Sequence, residues 1–107
     1  MKRTETVKRD NLLIDYLLKH KGKNNAVSAT EIVEYLTANN FPTAVGNIHI
    51  LITKLKMERH LPICSTIADG YFWAKSRAEI QEFIDHLQAR IDGLQEHIEH
   101  LKNFIME

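Results

Sequence analysis

Apolar and polar residues follow a helical period along most of this chain, and one short stretch breaks it. From Lys8 to His20 the apolar residues Leu12, Leu13, Tyr16 and Leu17 fall at i, i+1, i+4 and i+5, the stripe of an amphipathic helix. Lys21-Gly22-Lys23-Asn24-Asn25 then reads as a polar loop. Ser28-Ala29-Thr30-Glu31 has the form of a capping box, in which the Ser hydroxyl accepts from the Glu amide, and it opens a second helix through Ile32, Val33, Tyr35 and Leu36. Asn39-Asn40-Phe41-Pro42 is a tight connector, since Asn tolerates a left-handed backbone and Pro cannot continue a helix. Thr43 is the expected N-cap of a third helix, with Val45, Ile48, Leu51, Ile52 and Leu55 on one face and an end near Arg59-His60-Leu61-Pro62.

The break is Leu61 to Ser76, "LPICSTIADGYFWAKS". Ile63 to Ile67 and Tyr71 to Ala74 carry strand signals on either side of Asp69-Gly70, which predicts a β-hairpin. Phe72 and Trp73 are expected to anchor the junction between the hairpin and the C-terminal segment. There the helical period returns behind a second capping box, Ser76-Arg77-Ala78-Glu79. Apolar residues recur at Ile80, Ile84, Leu87, Ile91, Leu94, Ile98, Leu101 and Ile105, with alternating spacings of four and three. Asp92-Gly93 is a turn-like pair, and Gly inside a helix costs about 1 kcal/mol relative to Ala. Yet the stripe keeps its phase across Gly93, which falls at an outward position, so one continuous helix is expected.

Such a helix would be about 45 Å long, and a domain of this size cannot bury a stripe of that length. A partner helix is therefore required, and homodimerisation through Ile84, Leu87, Ile91, Leu94, Ile98, Leu101 and Ile105 is the expectation. Ile at a and Leu at d favour a parallel two-stranded coiled coil. The flanking Gln88, Arg90, Gln95, His97 and Lys102 offer few charge pairs, which leaves strand orientation open. The chain thus divides into residues 1–75, a globular domain, and residues 76–107, a dimerisation helix.

Composition adds constraints. A chain of 107 residues with 44% apolar and 26% charged residues is in the range of a folded globular protein. No run of 18 apolar residues exists, so no membrane span is expected. Met1 to Thr6 leads into a charged helical pattern rather than an apolar signal core. Cys64 is the only cysteine, which excludes an intrachain disulfide and makes the cytoplasm the expected compartment. The net charge is zero but unevenly spread: residues 1–75 hold 11 Lys and Arg against 7 Asp and Glu, and residues 76–107 hold 3 against 7. A mildly basic part precedes an acidic one.

The catalytic classes are not supported. The chain has no Gly-rich phosphate loop, nucleophile elbow or paired-carboxylate motif, so no enzyme activity or cofactor is expected. His86, His97 and His100 lack metal-site spacing and read as surface residues, so no metal is expected either. Cys64 reads as a small, buried apolar residue.

Helix, helix, turn, helix, hairpin is the order of a winged helix-turn-helix domain, and the residues themselves carry a likeness. "SATEIVEYL", "TAVGNIHILITKL" and "LPICSTIADGYFW" resemble the winged-helix domains of bacterial biotin-repressor-like regulators. The chain is also similar to small stand-alone winged-helix proteins of phages and prophages. The likeness covers residues 8–75 and is most specific at Leu61-Pro62-Ile63 and Gly70-Tyr71. It implies a mainly α fold with a small β-hairpin, in which the third helix enters a DNA major groove and the hairpin, as the wing, meets the backbone or minor groove.

On that expectation Thr43, Gly46, Asn47, Ile50, Thr53, Lys54 and Met57 face outward, with His49 on the flank. Asn47 would read adenine, Thr43 a phosphate and Ile50 a thymine methyl. Lys54, Lys56 and Arg59, with Lys2, Arg3, Lys8 and Arg9, would meet phosphates, and Lys75 would serve the wing. The chain departs from those regulators in having no Arg or Lys in the first two turns of the third helix and an acid at the wing tip. Two functions are open: a dimeric regulator of transcription or replication of phage or mobile-element type that binds double-stranded DNA, or an adaptor whose third helix and wing bind a protein.

Overall fold

The local signals convert into structure from the second helix outward. The computed structural model describes residues 3–66 and 70–106. Its elements run α1 (Arg3–Leu18), α2 (Ala29–Ala38), α3 (Ile48–Arg59), β1 (Ile63–Thr66), β2 (Gly70–Trp73) and α4 (Arg77–Met106), with 3-10 turns at Lys23–Asn25 and Val45–Asn47. Lys2, Ile67, Ala68 and Asp69 lie outside the described residues, and Gly70, expected with Asp69 in the hairpin turn, is instead the first residue of β2.

Ser28 caps α2 as its sequence requires, accepting the Glu31 amide at 3.1 Å. At the other end Asn40 takes a left-handed backbone, φ 70°. The amides of Asn40 and Phe41 donate to the carbonyls of Thr37 (3.0 Å) and Leu36 (2.8 Å), closing a Schellman motif, and Phe41 turns back onto the core. That core draws Leu13 and Leu17 from α1, Ile32 and Leu36 from α2, and Ile48, Ile52 and Leu55 from α3, closed by Val27 and Ile63.

The third helix begins later than Thr43 predicts. Ala44 is extended, a 3-10 turn spans Val45–Asn47, and regular α-helix starts at Ile48. Gly46 falls where the first α-helical turn would form, and glycine is a poor helix former there. The Thr43 hydroxyl turns back to donate to the Phe41 carbonyl at 3.1 Å. Val45, now out of helical phase with Ile48 and Ile52, is 50% exposed and not part of the core. Gly46 and Asn47 therefore lie on the approach to α3 rather than within it.

The hairpin is antiparallel, with Ile63 opposite Trp73 and Thr66 opposite Gly70. Alternation along each strand gives it two faces. Ile63, Tyr71 and Trp73 pack toward the helical core, while the paired Cys64 and Phe72 are buried outside that cluster.

The polar segment after α1, expected to be only a loop, pairs with the free edge of β2. The Gly22 amide donates to the Trp73 carbonyl (2.9 Å) and the Trp73 amide to the His20 carbonyl (3.0 Å). Farther along, Val27 and Tyr71 exchange two backbone hydrogen bonds of 2.8 Å. At this crossing Gly70 has φ 88°, and a Cβ on it would lie 2.1 Å from the Val27 carbonyl oxygen.

Helix α4 runs unbroken through Gly93 for 30 residues, and none of its side chains is buried. The radius of gyration, 17.0 Å, exceeds the roughly 13 Å of a compact chain this long. The longest extent is 56 Å. No described helix is long and apolar enough to cross a membrane.

Gly70 supplies the test of this frame. Gly70→Ala should destabilise the protein by more than the about 1 kcal/mol typical of a point substitution, because both the backbone angle and the Val27 carbonyl oppose a methyl group. Thermal melting checks it; an unchanged midpoint would contradict the close crossing.

Candidate functional site

The outward side of α3 is the first surface to which the sequence pointed. His49, Ile50, Thr53, Lys54 and Met57 are exposed on it, as are Gly46 and Asn47 just before it, whereas Thr43 is half-buried. Ile50 is 66% exposed and Met57 74%, large apolar groups for a surface that no described element covers.

The expected cations are dispersed. Lys54 is exposed. Lys56 instead donates its ammonium to the Ile63 carbonyl at 3.2 Å and sits 5.0 Å above the centre of the Phe83 ring. It therefore ties α3 to β1 and α4 rather than reaching outward. Arg59 donates to Asn11 Oδ1 at 2.9 Å and lies 4.0 Å from the Asp10 carboxylate, which Arg9 also holds at 3.0 Å. These two guanidiniums serve the α1–α3 contact. Lys75 follows β2 at the end of the hairpin opposite its turn, about 16 Å of extended chain from Gly70. Its aliphatic stem lies against Gly22. It is at the root of the hairpin, not its tip.

A further cation, Arg90 of α4, borders a cleft on this side of the head. Between α3 and the hairpin lies a cleft of about 240 Å³, with His49, Thr53 and Lys56 on one side, Ser65 and Tyr71 on another, and Phe83, Leu87 and Arg90 of α4 on the third. It adjoins a second hollow of about 350 Å³ that shares His49, Ser65, Tyr71 and Arg90 and reaches Ser28 at the start of α2. Phe83, Leu87 and Arg90 recur at i, i+4 and i+7, so α4 presents one edge to the head. The Tyr71 hydroxyl is 3.4 Å from His49 Nδ1. Burial pushes the Tyr71 phenol above its ordinary pKa, so it stays protonated. Arg90 was expected only as a flank of the coiled-coil seam. Its spacing of seven from Phe83 was the available signal.

The second surface is the stripe on α4. Ile80, Ile84 and Leu87 are 37–50% exposed beside the head, and Ile91, Leu94, Ile98, Leu101 and Ile105 are 47–85% exposed beyond it. The heptads nearly repeat, as Ile80-Gln81-Glu82-Phe83-Ile84-Asp85, Leu87-Gln88-Ala89-Arg90-Ile91-Asp92 and Leu94-Gln95-Glu96-His97-Ile98-Glu99. Each Gln donates to the acid four residues on, Gln81 to Asp85 at 2.9 Å, Gln88 to Asp92 at 3.0 Å and Gln95 to Glu99 at 2.8 Å. Pairs of this kind add about 0.2–0.5 kcal/mol each to a helix.

Among the described residues no cluster of His, Cys, Asp and Glu is arranged to hold a metal ion. Cys64 is buried, and burial raises its thiol pKa, which disfavours the reactive thiolate. No family model matches this chain, and no curated protein or solved structure does either.

Glu79 fixes the attitude of α4 over the cleft. Its amide donates to Ser76 Oγ at 3.3 Å, the half of the expected second capping box that forms. Its carboxylate accepts from the Lys75 amide and, across the fold, from the Lys23 amide, both at 2.9 Å. Lys23 Nζ also reaches Glu82 at 2.8 Å. The two amide hydrogen bonds, from Lys75 and then Lys23, hold the Glu79 pKa below its ordinary value.

A lowered carboxylate pKa stabilises the fold above the unfolded-state value and loses that contribution as pH falls through the folded-state value. Glu79→Gln should therefore melt below wild type at neutral pH. The gap should close as pH drops through and below the ordinary carboxylate range. A gap independent of pH would contradict the clamp.

Proposed function

We propose that this chain is a dimeric winged-helix protein that binds double-stranded DNA, a small regulator of transcription or replication of phage or mobile-element type. The observation carrying this reading is the division of α3. Ile48, Ile52 and Leu55 are spent on the core, while His49, Ile50, Thr53 and Lys54 face solvent along the whole helix. The pairing of β2 with the segment after α1 supports reading the hairpin as a wing, since it attaches the hairpin to the three-helix head along the edge of β2 that β1 leaves free.

In this reading α3 lies in the major groove. Asn47 at its approach and Thr53 and Ile50 on its outer face meet base edges, and Lys54 meets a phosphate. The α4 stripe is covered by the α4 of a second copy, which excludes water from its half-exposed Ile and Leu side chains. Two heads joined by such a rod match a two-fold-repeated site and double the phosphate contacts, so affinity falls steeply with salt.

One observation favours a second reading. The exposed Ile50 and Met57, with no basic residue in the first two turns of α3, suit a protein partner, making the chain an adaptor with little DNA affinity.

Electrophoretic shift with random duplex at ~50 mM salt separates the two, because nonspecific affinity is mostly phosphate electrostatics. Binding is expected, and its absence would favour the adaptor. Once a specific site is found, Asn47→Ala should relax discrimination, and Lys54→Ala should weaken all sequences alike. For assembly, Leu94→Glu should leave monomers in sedimentation equilibrium; a wild-type chain that is itself monomeric would remove the dimer from the proposal.

A further inference from the structure

We infer that the cleft between α3, the hairpin and α4 is a phosphodiester-binding site, with Arg90 of the rod as its principal cation. This rests on the DNA-binding reading and adds to it a role for α4 beyond dimerisation.

The first observation is charge. Across the two adjoining hollows, none of the described lining residues carries a carboxylate, in a chain with as many acids as bases. On the Lys23 side of α4 the neighbouring hollow is lined by Glu79 and Glu82 and is unsuited to an anion. Glu79 and Glu82 thus line the opposite side of α4, while Arg90 lines the cleft.

The second observation is the donor set. His49, Ser65, Tyr71 and Arg90 border both hollows. Tyr71 is held protonated as a donor, and a guanidinium offers the paired N–H groups that match two phosphate oxygens. Lys56 borders only the inner hollow, its ammonium engaged by the Ile63 carbonyl and Phe83.

The third observation is position. His49 and Thr53 belong both to the cleft and to the outward side of α3. A strand whose base edges face α3 therefore brings its backbone to the mouth of the cleft. Arg90 flanks the Leu87–Ile91 seam without lying in it, so a phosphate contact leaves the stripe available to a second copy. Arg90 supplies the positive charge missing from the early turns of α3.

The test uses the full chain and a labelled 20-base-pair duplex of random sequence, titrated from ~50 to ~200 mM salt, with sedimentation run in parallel. Arg90→Gln should weaken binding roughly tenfold and lower the slope of log affinity against log salt by about one per protomer. Arg90→Lys should recover much of the affinity. If Arg90→Gln binds as wild type while Lys54→Gln binds more weakly, the cleft assignment is overturned and the DNA-binding reading survives. If the wild type fails to bind at ~50 mM salt, both fall. Should Arg90→Gln alter the mass in sedimentation, the double variant His49→Gln, Tyr71→Phe probes the cleft from outside the rod. Weakened binding by it supports the site, and unchanged binding overturns it.

Discussion

Strand β2 is hydrogen-bonded on one edge to β1 and on the other to the chain that leaves α1, and the rest of the head hangs from that double pairing. A two-stranded hairpin alone is only marginally stable in water. Here it is fixed at His20, Gly22 and Val27, residues far from it in sequence, with Gly70 allowing the Val27 backbone to approach. Once β2 is held, Ile63 and Trp73 close the core beside Leu13, Ile32 and Ile52, and α3 has a single face left for solvent. The surface available for recognition is thus a remainder, set by what the core consumes.

The rod obeys the opposite logic. An isolated helix in water is marginal, and most helices are sustained by packing one apolar face. In α4 the Gln-to-acid ladder and the Glu79 clamp secure the helix locally, but the stripe stays half exposed along its length. Full burial of a Leu or Ile is worth about 1.5–3 kcal/mol, so about 1 kcal/mol per position remains to be gained by covering it. The gradient of exposure from Ile80 to Ile105 also shows where the head ends. Beside the head, Phe83 lies under the Lys56 ammonium, and Leu87 and Arg90 line the cleft with α3 and the hairpin.

Range decides how much of this was legible in the sequence. Both Ser caps, the Asn40 turn, the presence of the hairpin and the phase of α4 across Gly93 are settled within a few residues, and the pattern shows them, whereas the register, which places Gly70 in β2 opposite Thr66 rather than in the turn, it does not. The pairing of Val27 with Tyr71 through their backbones, and the bond from the Lys23 amide to the Glu79 carboxylate, join distant segments and leave no mark in side-chain periodicity. The onset of α3 lay between these cases. Thr43 is a good cap in isolation, but Gly46 weakens the turn it would begin, and the helix waits for Ile48. For the site, the outward residues of α3 were readable from period alone. The diversion of Lys56 and Arg59 into internal contacts, and the arrival of Arg90, depend on which edge of α4 meets the head.

The near-identity of successive heptads in α4 has a metrical consequence. A helix laid along this stripe meets almost the same surface after sliding by seven residues, about 10 Å. Repetition makes the rod nearly indifferent among those alignments, and its ends and the flanking Phe83, Arg90 and His97 distinguish them. Any two bodies fastened to such rods stand apart by distances graduated in heptad steps, like marks on a vernier.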